Sequence, residues 1–97
     1  MYIALDIGGT KIAIGVFNTP TDKAPTNSTT ISTFNDYQQA ISEIFITIKN
    51  LSHNQEIKGI GVSFAGVVRN NTIRLATHLW DWQNQPLAED LEKEFKT

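Results

Sequence analysis

Two short apolar runs, YIALDI at 2–7 and KIAIGVF at 11–17, stand on either side of Gly8 and Gly9. The first is apolar apart from Asp6 and rich in β-formers, the pattern of a strand buried on both faces. The second places Ile12, Ile14 and Val16 on one face. Joined by a glycine turn, the two predict a β-hairpin. Residues 18–30 carry two prolines among many Thr and Asn and read as a loop, after which TISTF at 30–34 offers a third strand. The period then changes. Ile41, Ile44, Phe45, Ile48 and Leu51 form one apolar stripe at helical spacing, with Asn35 or Asp36 as the cap. IKGIGVSFAGVV at 57–68 reads as a central strand running into a glycine turn at Gly66. Two short strands, 67–68 and 72–75, are separated by the turn residues Asn70 and Asn71. Pro86 suits the first position of a closing helix, in which Leu87, Leu91 and Phe95 share a face. Glu89 and Asp90 favour the start of that helix, and Lys93 and Lys96 its end.

The resulting order, β-β-β-α-β, a small hairpin, then α, predicts an α/β chain with a mixed sheet. A further parallel strand is expected after Thr97, where a crossover would return to the sheet. At 97 residues this is one small domain or part of a larger one. A net charge of −2 with 40% apolar residues describes an ordinary soluble protein. The eight Lys and Arg form no stripe, so nucleic acid is not an expected partner. No run approaches the roughly 20 apolar residues of a membrane span, and no signal peptide is evident at the N-terminus. A cytoplasmic protein is expected, with no membrane partner. Cysteine is absent, and His53 and His78 are too far apart to pair as metal ligands.

The chemistry concentrates in Asp6, Gly8, Gly9, Thr10 and Lys11. Glycines let a backbone turn tightly and bring amides close to phosphate oxygens. Thr10 adds a hydroxyl and Lys11 a charge, and Asp6 is placed to hold Mg²⁺ directly or through water. A carboxylate closing a buried strand is costly unless it serves a purpose. The spacing is neither that of a P-loop nor that of a Rossmann turn. Ser63 has no His or Asp at triad spacing, which excludes nucleophilic catalysis. Trp80 and Trp82, flanking Asp81, read as core or domain-edge anchors in preference to ligand-stacking rings, and Asp81 as a solvated loop carboxylate. His53 reads as a surface residue.

LDIGGTKIAIGVF resembles the first phosphate motif of the actin-like ATPase superfamily, and in particular of the ROK family of bacterial sugar kinases and repressors. IKGIGVSFAGVV resembles that family's strand ending at the sugar site, and LATHLWDWQNQPLAEDLEKEF its segment running from a sugar contact to a Pro-Leu helix. The resemblance implies a ribonuclease-H-like lobe, ATP and Mg as cofactors, and a sugar as substrate. It assigns Asp6 to the metal, residues 8–11 to phosphate, and Ser63, Gly66, Thr77 and His78 to the sugar side. His78 departs from the asparagine usual there and leaves the sugar open. The family's catalytic base, an Asp in an Asn-Asp pair, is expected after residue 97. Its second phosphate motif, its zinc site of His and Cys and its C-terminal lobe are not in the sequence. With the phosphate motif starting at Asp6, the helix-turn-helix of the repressor branch is not expected. The reading is thus the N-terminal part of an ATP-dependent sugar kinase, inactive alone and homo-oligomeric. The alternative is a non-catalytic lobe that binds or self-associates.

Overall fold

The computed structural model describes residues 1–64, 66–69, 72–76 and 82–97. The expected element order is found: β1 (Tyr2–Ile7), β2 (Lys11–Phe17), β3 (Asn27–Ser32), α1 (Tyr37–Ser52), β4 (Gly59–Phe64), β5 (Gly66–Arg69), β6 (Thr72–Ala76) and α2 (Leu87–Phe95). Four strands form one sheet in the order β3-β2-β1-β4, and β5 and β6 form a separate hairpin. The β1–β2 and β2–β3 pairs are antiparallel, whereas β1 and β4 run parallel, so the sheet is mixed as the sequence predicts.

Strand alternation decides what each face of the sheet does. Ile3, Leu5 and Ile7 of β1 and Ile12, Ile14 and Val16 of β2 point into one core cluster. Tyr37, Ala40, Ile41, Ile44 and Ile48 of α1 join it, as do Leu87 and Leu91 of α2. The predicted helical stripe is therefore the packing face of α1, with Phe45 and Leu51 at its margin. Asp36 is the cap, its carboxylate accepting from the Gln39 amide at 3.1 Å. The helix ends at His53, an exposed residue in the left-handed conformation (φ 53°). Phe45 meets Phe95 edge to face, and Lys49 reaches Glu94 at 2.7 Å, which ties α1 to α2.

Several expectations are corrected. β1 is buried on one face only: Ala4 and Asp6 are exposed, because alternation turns them away from the helices. β3 begins at Asn27, three residues before the expected start, and ends before Thr33. Pairing with β2 (Val16 with Asn27, Gly15 with Ser28, Ile14 with Thr29) overrides the loop-like composition of these residues. β4 starts at Gly59 and is outermost in the sheet, not central, since β1 is its sole partner among the described residues. Gly66 opens β5 instead of making a turn. Pro86 is the N-cap of α2, one position earlier than expected, and Lys96 lies beyond its end at φ 55°. Asn70, Asn71, Trp80 and Asp81 lie outside the described residues.

Candidate phosphate and sugar site

The hairpin formed by β1 and β2 pairs Ile7 with Ile12 and turns through Gly8, Gly9 and Thr10. The carbonyls of Gly8, Thr10 and Lys11 are occupied. Gly8 N–H donates to the Lys11 carbonyl at 2.9 Å, the Thr33 amide donates to the Thr10 carbonyl at 3.0 Å, and the Thr33 hydroxyl donates to the Gly8 carbonyl at 3.0 Å. Among the described residues, no acceptor takes the amides of Gly9 and Thr10, and both residues are exposed. A turn with its oxygens tied back and two amides unengaged is suited to an anion. Lys11, also exposed, follows directly.

The turn does not draw on the positive φ that glycine allows. No described glycine has a positive φ. The demand at Gly8 is steric: a Cβ there would lie 3.2 Å from the Lys11 carbonyl oxygen, the atom that receives the Gly8 amide. A side chain would push that bond apart.

Asp6 and Ser63 occupy the sheet face away from the helices. They are register partners on the parallel strands β1 and β4, and both are exposed. This corrects the argument from burial, because Asp6 carries no desolvation cost. Its carboxylate makes no hydrogen bond or ion pair among the described residues. Asp6 is also the one carboxylate in the six strands. Mg²⁺ is commonly held by one or two carboxylates with the rest of its shell from water and substrate phosphate, which fits a lone exposed Asp beside free amides. No cluster of three or more metal-ligating side chains exists among the described residues.

A trough of about 570 Å³ crosses the same face. Its lining includes the small residues Ala4, Ala13, Gly15 and Gly61, together with Asp6 and Ser63. The turn residues 8–11 do not line it. Of the remaining sugar-side candidates, Gly66 pairs with Ala76 at the base of the β5–β6 hairpin. Thr77 and His78 lie outside the described residues.

Trp82 is fully buried, as the anchor reading requires. Its indole Nε1–H donates to the Phe34 carbonyl at 2.8 Å. Tyr37 packs against its ring edge to face at 5.3 Å, and Phe64 lies tilted over it at 5.9 Å. The Tyr37 hydroxyl donates to Asp90 at 2.8 Å. Burial, reinforced by that bond and the negative charge of Asp90, pushes the phenol far above its ordinary value.

Sequence reasoning missed Thr33. It stood at the end of an expected strand, and only the β2–β3 register brings it to the turn.

Comparison with known proteins bears on these positions. The sequence model of the ROK family matches residues 2–97. The chain is 32% identical to a glucokinase of Streptomyces coelicolor over 95% of its own length and 29% of that protein's. It is 28% identical to a glucokinase of Thermotoga maritima, over 94% of the chain and 29% of the relative. Among solved structures, a ROK family glucokinase from Streptomyces griseus in complex with glucose and AMPPNP superposes with a TM-score of 0.80. That match has 26% identity and covers 98% of this chain and 30% of the other. The Lmo2764 protein of Listeria monocytogenes, a putative N-acetylmannosamine kinase, gives 0.77 at 28% identity, with 98% and 32% covered. The chain thus spans a little under a third of the length of these relatives, and its mixed sheet and helices have the actin-like ATPase fold of ROK kinases. By sequence and by fold, this chain belongs to the ROK family.

Proposed function

We propose that the chain is the phosphate-binding N-terminal part of an ATP-dependent sugar kinase. It carries one side of the nucleotide site and part of the sugar site. The observation that supports this most directly is the β1–β2 turn. The carbonyls of Gly8 and Thr10 are engaged, the amides of Gly9 and Thr10 have no acceptor among the described residues, and Lys11 and Asp6 stand beside it. In this reading the two amides and the Thr10 hydroxyl donate to phosphate oxygens, and Lys11 offsets phosphate charge. Asp6 orients Mg²⁺ through its water shell. The metal supplies charge neutralisation on the phosphoryl group being transferred. Ser63, beside Asp6 in the register, and the backbone of Gly66 face the sugar hydroxyls, with Thr77 and His78 as further contacts. The sugar is a hexose or an amino-sugar, in line with the glucokinase and N-acetylmannosamine kinase relatives.

Phosphoryl transfer also needs a base for the sugar hydroxyl, and with Asp6 assigned to the metal the described strands offer no other carboxylate for it. We therefore expect the 97-residue chain to bind nucleotide without turning over glucose, mannose or N-acetylmannosamine. Calorimetric titration with ATP, with and without Mg²⁺, tests the reading. Wild type should bind, and more tightly with Mg²⁺. Lys11→Ala should weaken binding about 2- to 5-fold, the weight of one exposed ion pair. Asp6→Asn should lose the Mg²⁺ response while its thermal melt stays within about 0.5 kcal/mol of wild type, as expected for an exposed site. No binding at millimolar ATP, or an intact Mg²⁺ response in Asp6→Asn, would overturn the assignment.

A further inference from the structure

We infer that Thr33 is the positioning residue of the phosphate turn: from outside the hairpin it fixes the turn's shape, and through that shape its affinity for phosphate. The inference rests on the proposed phosphate role of residues 8–11.

Three facts carry it. First, Thr33 holds both ends of the turn at once. Its amide takes the Thr10 carbonyl and its hydroxyl takes the Gly8 carbonyl, each at 3.0 Å. The amide bond simply continues the β2–β3 ladder one step past the Lys11–Ser32 pair, so any residue would make it. The hydroxyl bond is different. It reaches across 25 positions of sequence to the opposite arm of the turn, and only Ser or Thr here would supply it.

Second, the bond determines which backbone groups remain. A carbonyl without a donor swings easily towards any available amide. With the Gly8 and Thr10 carbonyls occupied, the amides of Gly9 and Thr10 are left without an acceptor among the described residues, and a phosphate needs donors. Removing the hydroxyl frees an acceptor in the residue next to the Gly9 amide, and its dipole would oppose an anion held by that amide.

Third, Thr33 is itself held. The next residue, Phe34, accepts the indole hydrogen of the buried Trp82 at 2.8 Å. Asp36, two further on, caps α1, and Tyr37 is bonded to Asp90 of α2. The connection between β3 and α1 is therefore fastened to both helices, and Thr33 is its contact with the turn. A half-buried clamp on a rigid support is what holding a loop shape requires.

Amide hydrogen exchange and MgATP titration, followed by NMR on the 97-residue chain, separate the possibilities. Thr33→Val keeps the shape and removes the hydroxyl, and Thr33→Ser keeps the hydroxyl. In Thr33→Val, exchange of the Gly8 amide should quicken about 3- to 10-fold, one neutral hydrogen bond's worth. MgATP affinity should fall by a similar factor, while the helix amides exchange as in wild type. Thr33→Ser should stay within twofold of wild type in both. Equal Gly8 exchange in Thr33→Val and wild type would overturn the inference, as would a Thr33→Ser variant as perturbed as Thr33→Val. So would faster exchange in Thr33→Val with unchanged MgATP affinity. If wild type gives no MgATP response at all, the phosphate reading itself fails. The exchange result then still decides whether Thr33 holds the turn.

Discussion

Replacing Trp82 by Phe separates a core anchor from a sugar-stacking ring. The indole is fully buried between Tyr37 and Phe64, and its one polar atom is bonded to the Phe34 carbonyl. Phe retains a six-membered ring but loses the pyrrole part and its N–H. The Phe34 carbonyl then lacks its indole donor, which costs about 1–3 kcal/mol. The space vacated by the pyrrole adds roughly 1 kcal/mol, provided the surroundings relax only partly. A total of about 3 kcal/mol follows, a large share of the stability of a domain of this size. With a urea m-value of about 1–2 kcal/mol/M, the midpoint should move down by about 1.5–3 M. Urea unfolding followed by far-ultraviolet circular dichroism measures this without relying on indole fluorescence, which the substitution alters. A midpoint shift below 0.5 M with unchanged m-value would show that Trp82 does not anchor the core. The packing argument, and the anchoring of the Thr33 clamp with it, would then fail.

Two further outcomes are expected. Because burial and Asp90 hold the Tyr37 phenol above its ordinary value, its contribution to stability is complete below about pH 10 and is lost as pH rises beyond that, by at most about 1.4 kcal/mol per pH unit. Urea midpoints between pH 9 and 11 should fall more steeply for wild type than for Tyr37→Phe, and parallel slopes would refute this. The outer edge of β4, where Val62 is 41% exposed beside a groove lined by Ile60, Ala88 and Leu91, should promote self-association at high micromolar concentration. Sedimentation equilibrium should show dimers or larger species that Val62→Lys reduces to monomer. A wild-type chain that stays monomeric throughout would count against it.

The parts of the fold that were legible are those in which one local period governs. The stripe from Ile41 to Leu51 could only be the packed face of a helix, and Asp36 could cap it because its side chain reaches an amide three residues away. The hairpin of β1 and β2 was legible for the same reason. What failed depended on pairing. Asn27, Ser28 and Thr29 look like a loop until β2 supplies partners for them. YIALDI looks buried on both sides because Ala4 is apolar, although alternation puts Ala4 beside Asp6 on the open face. Of the candidate site, residues 8–11 were singled out from the residue types of one short motif, and the structure adds a steric reason for Gly8 in place of a torsional one. Thr33 carried no signal of its own, since a threonine at a strand end is ordinary and its partner lies 25 residues away.

The exposure of Asp6 alters the physical argument for its role. A buried carboxylate would need a partner to fold at all, and its function could not be separated from stability. Here alternation divides the work of a single strand. Ile3, Leu5 and Ile7 supply the core, while Asp6, one position out of phase, adds nothing to it. The same division runs across the sheet, because Ala13 and Ser63, the register partners of Asp6, also face away from the helices. The face bearing Asp6 can therefore vary in charge and chemistry at little cost to folding, provided its floor stays small enough for close approach. The turn is the exception. There the Thr33 hydroxyl, the Gly8 carbonyl and the clearance over Lys11 are shared between holding the hairpin and presenting its amides. Substitutions at Asp6 should thus change binding and leave the turn intact, whereas a side chain at Gly8 or loss of the Thr33 hydroxyl should loosen the turn locally and weaken binding with it.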